Sequence, residues 1–126
     1  SLGTLHANSS RDALIRVENM VQMGSFGLPV KAIRSQIASA LDVIVQLTRL
    51  ADGKRKVTSV AEVTGMEGDV IQMQEIFRFV RTGTDADGGI VGHFEATGIR
   101  PRFLEDLKAM GIEFPGKYFE PGRPQE

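Results

Sequence analysis

The sequence predicts an α/β chain in which two helices and a strand lead into an antiparallel meander of hairpins closed by a short helix. Three observations predict it. Apolar residues recur at helical spacing up to about residue 41, then switch to alternation. Glycine-containing polar turns break the following stretch into strand-length runs. A proline and a glycine then bracket one last apolar helical pattern.

Leu2 to His6 reads as the end of a strand. Asn8 or Ser9 suits a helix cap, because a short oxygen-bearing side chain accepts from free first-turn N–H groups. Asp12, three residues after Ser9, complements the positive end of that helix. Leu14, Val17 and Val21 then form one stripe, with Ala13 and Met20 beside it, and Gly24 and Gly27 bracket the stop. The spacing predicts a helix over 10–23. Pro29 fits the first turn of a second helix, where its missing N–H costs nothing. Val30, Ile33, Ile37 and Ala40 carry that helix to about Leu41.

Asp42 to Thr48 reads as a strand with Val43, Val45 and Leu47 on one side and Ile44 on the other. Asp52-Gly53 is a turn signal, and Val57 to Thr64 continues as a strand. Gly65 to Asp69 reads as another turn. Val70 to Arg81 places Ile71, Met73, Phe77 and Phe79 at period two, Gly83 to Gly89 is a polar loop, and Ile90 to Ala96 is a short strand. A helix is expected over 101–110, opened by Pro101 and carrying Phe103, Leu104 and Leu107. Gly111 and Ile112 are placed to close a Schellman motif. The tail from Gly116 is rich in proline, glycine and charge and is expected to fray. No internal repeat or heptad pattern is present.

The 126 residues suit one domain or a piece of one, and 41% apolar content suffices for a core. A net charge of −1 gives no electrostatic reason to expect nucleic acid. Residues 1–64 carry eight Lys/Arg against five Asp/Glu, and residues 65–126 carry seven against eleven, so the halves differ in sign. Ordinary surface charge accounts for this as well as head-to-tail subunit contacts do. With no cysteine, disulfide, thiolate and zinc-finger chemistry is excluded. The sequence has no apolar run near 18 residues and no signal-peptide pattern. Its abrupt start inside an apolar motif reads as a truncation.

Few residues carry chemistry. His6 stands where a strand end meets a helix cap; its imidazole can donate to a phosphate oxygen, or it is simply a surface or cap histidine. Asp85-Ala86-Asp87-Gly88-Gly89 fails the calcium-loop pattern and reads as a hairpin turn. His93 has no cysteine, histidine or acid partner at metal-ligand spacing and reads as a structural or exposed histidine. Lys54-Arg55-Lys56 lacks interleaved aromatics and reads as a solvated hairpin end. Arg11 and Arg16 read as a solvated helix face, with reach to a neighbouring subunit. No G-x-x-x-x-G-K-[ST] phosphate loop occurs in these residues.

One set of motifs recurs in a specific order. It begins with Gly3-Thr4-Leu5-His6-Ala7-Asn8-Ser9, followed by Arg11-Asp12-Ala13-Leu14 with Arg16 and Glu18. Leu28-Pro29-Val30-Lys31-Ala32-Ile33-Arg34 then runs into Gln36-Ile37-Ala38-Ser39-Ala40. Val57-Thr58-Ser59-Val60-Ala61-Glu62-Val63, Gly65-Met66-Glu67-Gly68 and Ile76-Phe77 follow. Thr97-Gly98-Ile99-Arg100-Pro101 with Phe103-Leu104 completes the series. In this order the chain resembles the C-terminal half of the bacterial type II/IV secretion system ATPases, nearest in pattern to the tight-adherence (Flp) pilus motors.

The resemblance implies the C-terminal part of a RecA-like P-loop ATPase domain, assembled as a hexamer. Residues 1–48 would be the distal part of the nucleotide-binding core, 49–115 an antiparallel hairpin extension packed by a helix, and 116–126 a flexible tail. His6 matches the family's His-box histidine near the terminal phosphate, and Thr4 would lie with it against the nucleotide. The phosphate loop, acidic box and Walker B acid precede that point in the family and have no counterpart here. ATP and magnesium are thus expected in a full-length parent, with none tightly bound to this piece. The implied partners are other copies in the ring and inner-membrane secretion or pilus platform proteins, without nucleic acid. The implied location is cytoplasmic, peripheral to the inner membrane through those partners. The alternative reading is a non-enzymatic adaptor that binds a full-length ring or a membrane partner.

Overall fold

A computed structural model describes residues 2–24 and 27–122, with the backbone of 124–125. Helix α1 (Ser10–Gly24) and helix α2 (Val30–Ala40) precede four long strands: β1 (Val43–Arg49), β2 (Arg55–Glu67), β3 (Val70–Thr84) and β4 (Ile90–Ala96). Helix α3 (Phe103–Ala109), a 3-10 turn (Gly116–Phe119) and a two-residue strand β5 (Pro124–Gln125) follow. The sheet runs in the order β1-β2-β3-β4-β5, every neighbouring pair antiparallel. The α/β class with a meander and C-terminal helix is therefore present.

The helices are built as their patterns require. Ser9 caps α1 by accepting from the Asp12 N–H at 3.0 Å. Pro29 sits at the cap of α2 rather than within its first turn, with φ −61° and ψ 145°. Leu14, Ile33 and Ile37 pack with Val63 and Ile71 of the sheet, so α1 and α2 cover one face. At the end of α3 the Ile112 N–H donates to Leu107 O at 2.8 Å and the Gly111 N–H to Lys108 O at 3.0 Å. With Gly111 at φ +81°, this is the expected Schellman closure.

The strands differ from expectation at their ends. Gly65 lies inside β2 rather than opening a turn. It has φ +131° and marks the register shift between Val63 and Gly65, so the glycine serves a bulge. The turn itself is Gly68-Asp69, with Gly68 at φ +60° opening a two-residue loop between Glu67 and Val70. β3 continues past Arg81 to Thr84. Leu2 to His6, read as a strand end, has no ladder partner among the described residues. From Gly116 the chain is docked as far as Gly122: Phe119 is buried with Ile76 and Leu104, and the Gly122 N–H donates to Ala96 O at 2.9 Å.

Two long-range ties hold the meander together. Asp52 accepts from the Lys54 N–H at 3.0 Å and from the Ile90 N–H at 2.9 Å, so the β1–β2 turn clasps the start of β4. Those backbone donors, Ile90 first, hold the Asp52 carboxyl below its ordinary pKa. Glu62, 4% exposed, is the second tie. It accepts from the N–H groups of Arg102 and Phe103, both at 2.8 Å, and from Gln74 Nε2 at 3.1 Å. Because Val63 packs under α1 and α2, the alternation of β2 turns Glu62 to the opposite face, where it caps α3.

Gly92 is required by close approach. A Cβ there would stand 2.3 Å from Val80 O and 2.5 Å from Phe79 Cζ. Gly92→Ala is expected to destabilise the chain by about 1–3 kcal/mol through overpacking against backbone, read as a lowered urea midpoint with an unchanged slope. An unchanged midpoint would show that β4 shifts freely.

Candidate functional site

A concavity on the helix-covered face lies where the sheet emerges from under α1. It is a groove of about 420 Å³, within the range of small-molecule sites. Asn8, Ser9, Ser10 and Arg11 form one wall, and Gln46, Thr48, Thr58, Ser59, Ala61, Met73 and Glu75 form the floor. The wall follows from the α1 cap, because a helix starting at Ser10 must present its first turn there. The floor follows from strand alternation: Gln46 and Thr48 share a side of β1 with Ile44, which packs against the α1–α2 core.

The groove is lined by hydroxyls and amides. Gln46 Nε2 donates to Ala7 O at 2.9 Å and to Leu47 O at 3.2 Å. The Thr48 and Thr58 hydroxyls meet at 2.7 Å, and Ser59 donates to Glu75 at 2.7 Å. Ser10 Oγ is buried without a partner among the described residues. Arg11, expected on a solvated face, instead donates to Ile71 O at 2.8 Å, and Arg16 donates to His6 O at 2.9 Å. These bonds fix α1 against the tip of the β2–β3 hairpin and against the segment before it.

Thr4 and His6 are both exposed and line no part of the groove. The His6 imidazole meets no hydrogen-bonding side chain among the described residues; only its carbonyl is held. Thr4 and His6 thus share one exposed segment leading into the wall of the groove. His93 lies far along β4. Its Nε2 is 2.9 Å from Glu95 Oε2, and Arg78 is 3.4 Å from the other Glu95 oxygen. The His93 hydrogen bond, then that of Arg78, lowers the Glu95 pKa. Asp85 spends its carboxylate on the N–H groups of Asp87 and Gly89, as a hairpin turn does. Lys56 lies over the Phe79 ring at 5.2 Å, which gives the basic triple one aromatic contact.

Among the described residues no cluster of histidine and carboxylate stands ready for a metal ion, and no serine or threonine hydroxyl bonds an imidazole. The groove can orient a polar group by hydrogen bonds, and its Ser59–Glu75 contact joins a hydroxyl to a carboxylate with no histidine between them. Sequence reasoning missed its floor, because Gln46, Thr58, Ser59 and Glu75 meet only through strand pairing. It missed the buried Glu62 as well, because the backbone donors that hold it lie 40 residues or more further along the chain.

No helix among the described residues is long and apolar enough to cross a membrane. Residues 1–89 match the family described as "Type II/IV secretion system protein". Two proteins of Mycobacterium tuberculosis, from strains CDC 1551 / Oshkosh and ATCC 25618 / H37Rv, bear names that assign them provisionally to conjugal transfer. Each is 34% identical to this chain over 68 residues, which is 54% of the chain and 19% of the relative. The match thus spans about a fifth of those relatives.

Proposed function

The chain belongs to the type II/IV secretion system protein family, and on that premise we propose that it is the C-terminal part of a hexameric ATPase that powers pilus assembly or protein secretion. The family match over residues 1–89 carries the reading. It takes in the His6 segment, both α1 and α2, and the meander as far as Gly89.

In this reading residues 1–48 belong to a RecA-like core, and the meander transmits its movement to the partners of the ring. ATP and magnesium bind chiefly to residues outside these 126, since a triphosphate needs a phosphate cradle and a magnesium ligand set. His6, with Thr4 beside it, meets the terminal phosphate. The exposure of both side chains supports this, because such a role needs an imidazole free of internal partners. Arg16 supports it too, since its bond to His6 O ties the His6 backbone to α1. A change at the phosphate then has a rigid route into the helix layer. Glu62 and α3 tie the C-terminal segment to the same sheet.

The proposed setting is the cytoplasmic side of an inner-membrane platform, and pilin is the proposed cargo on the strength of the ordered motifs. The names of the mycobacterial relatives add transfer between cells as a second process for such a motor. The native reading frame upstream of Ser1 tests the proposal. A phosphate loop of the G-x-x-x-x-G-K-[ST] type within one continuous frame is expected. A frame without one would overturn the ATPase reading in favour of an adaptor that docks on a complete ring.

A further inference from the structure

The segment that carries His6 is held from two layers of the fold. Arg16 of α1 donates to His6 O at 2.9 Å, and Gln46 of β1 donates to Ala7 O at 2.9 Å. These are the two carbonyls that follow the His6 Cα. A peptide unit is planar, so the unit that bears His6 O also contains that Cα. Holding this oxygen and the next one therefore fixes the His6 Cα in space. The imidazole is left with its side-chain torsions and one backbone rotation.

The two ties are not equivalent. The Arg16 bond is exposed, whereas the Gln46 bond is partly buried. A bond shielded from water is electrostatically the stronger. Gln46 is also braced against its own strand, because the same Nε2 donates to Leu47 O at 3.2 Å. Both amide hydrogens are then in use. Both acceptors are carbonyl oxygens, so the amide nitrogen, not its oxygen, must occupy this position. The sheet departs from regular pairing at the same residue. The register of β1 on β2 shifts between Gln46 and Leu47, with Thr58 as the extra residue of β2. A bulge of this kind turns nearby side chains from their regular direction.

We infer that Gln46 is a positioning residue for His6: its amide carries the His6 segment on strand β1 and so sets where the imidazole stands against the terminal phosphate. The inference rests on the proposed place of His6 at that phosphate. Gln46 acts through the backbone of the segment and does not itself touch the nucleotide. What it contributes is a donor rather than bulk. A side chain of equal length without N–H groups cannot replace it.

Kinetics on the longer protein proposed to contain this chain test the inference. Gln46→Leu is expected to lower kcat roughly 10- to 100-fold, the scale of a misplaced reacting group, with ATP affinity changed less than about threefold. Gln46→Glu keeps the shape but turns a carboxylate oxygen toward both carbonyls, and is expected to lose at least as much. In a His6→Ala background, Gln46→Leu is expected to cost less than about twofold more, because nothing remains for it to position. Turnover near the unmodified level in either Gln46 variant, beside a damaged His6→Ala, would overturn the inference. Losses that multiply in the double variant would overturn it too. A second readout separates this inference from the ATPase reading. In the 126-residue chain the NMR backbone order parameter of Ala7 is expected to fall from about 0.85 to below about 0.6 in both Gln46 variants. An unchanged value would overturn the hold of Gln46 on the segment. Unchanged kcat in His6→Ala would sink the phosphate role of His6, and the order parameter would still decide that hold. If Gln46→Leu fails to fold by circular dichroism, Gln46→Glu decides.

Discussion

Glu62→Ala is expected to destabilise the chain by about 2–4 kcal/mol, since it leaves buried donors without an acceptor. The two backbone donors belong to Arg102 and Phe103 at the start of α3, and the third is the Gln74 amide. α3 has no cap from its own segment, so the sheet supplies one. A carboxylate there also meets the positive end of the helix. Glu62→Gln keeps one acceptor oxygen and is expected to recover part of the loss. Urea unfolding of the three proteins measures the effect. A loss below about 0.5 kcal/mol for Glu62→Ala, the scale of a neutral surface change, would show that α3 does not depend on this cap.

His6→Ala in the longer protein proposed to contain this chain is expected to lower kcat by roughly 10–1000-fold, by comparison with deletion of other donors that stabilise developing charge. ATP affinity should change far less, the pattern of an interaction strengthened in the transition state. The fold makes this separable from stability. The exposed imidazole bonds no side chain among the described residues, and its removal is expected to cost within about 0.5 kcal/mol. Equal kcat in a folded variant would reduce His6 to a surface residue.

The helices were legible because their determinants are local. Ser9, the Leu14–Val17–Val21 stripe and the Gly111-Ile112 closure each act within a turn or two of their own position. The strands were legible in kind but not in extent. Gly65 has the composition of a turn, yet cross-strand pairing keeps it in β2 as a bulge. Leu2 to His6 has strand-like residues, but a strand also needs a partner. Phe119 sits in a segment whose proline, glycine and charge content predicts fraying. One aromatic ring finding Ile76 and Leu104 outweighs that composition, and the contact spans 43 residues to Ile76. The floor of the groove was illegible for the same reason, since Ser59 and Glu75 are joined only by the β2–β3 register. Exposed His6 and Thr4 gain their proposed meaning from family likeness; spacing alone left His6 open between a ligand contact and a cap.

Steady-state magnesium-ATP hydrolysis, measured side by side on the intact longer protein and on the 126-residue chain, tests the central claim most directly. The account predicts turnover by the intact protein and none by residues 1–126, whose sequence holds no phosphate loop. Hydrolysis by the 126-residue chain at the rate of the intact protein, or none by either, would contradict it.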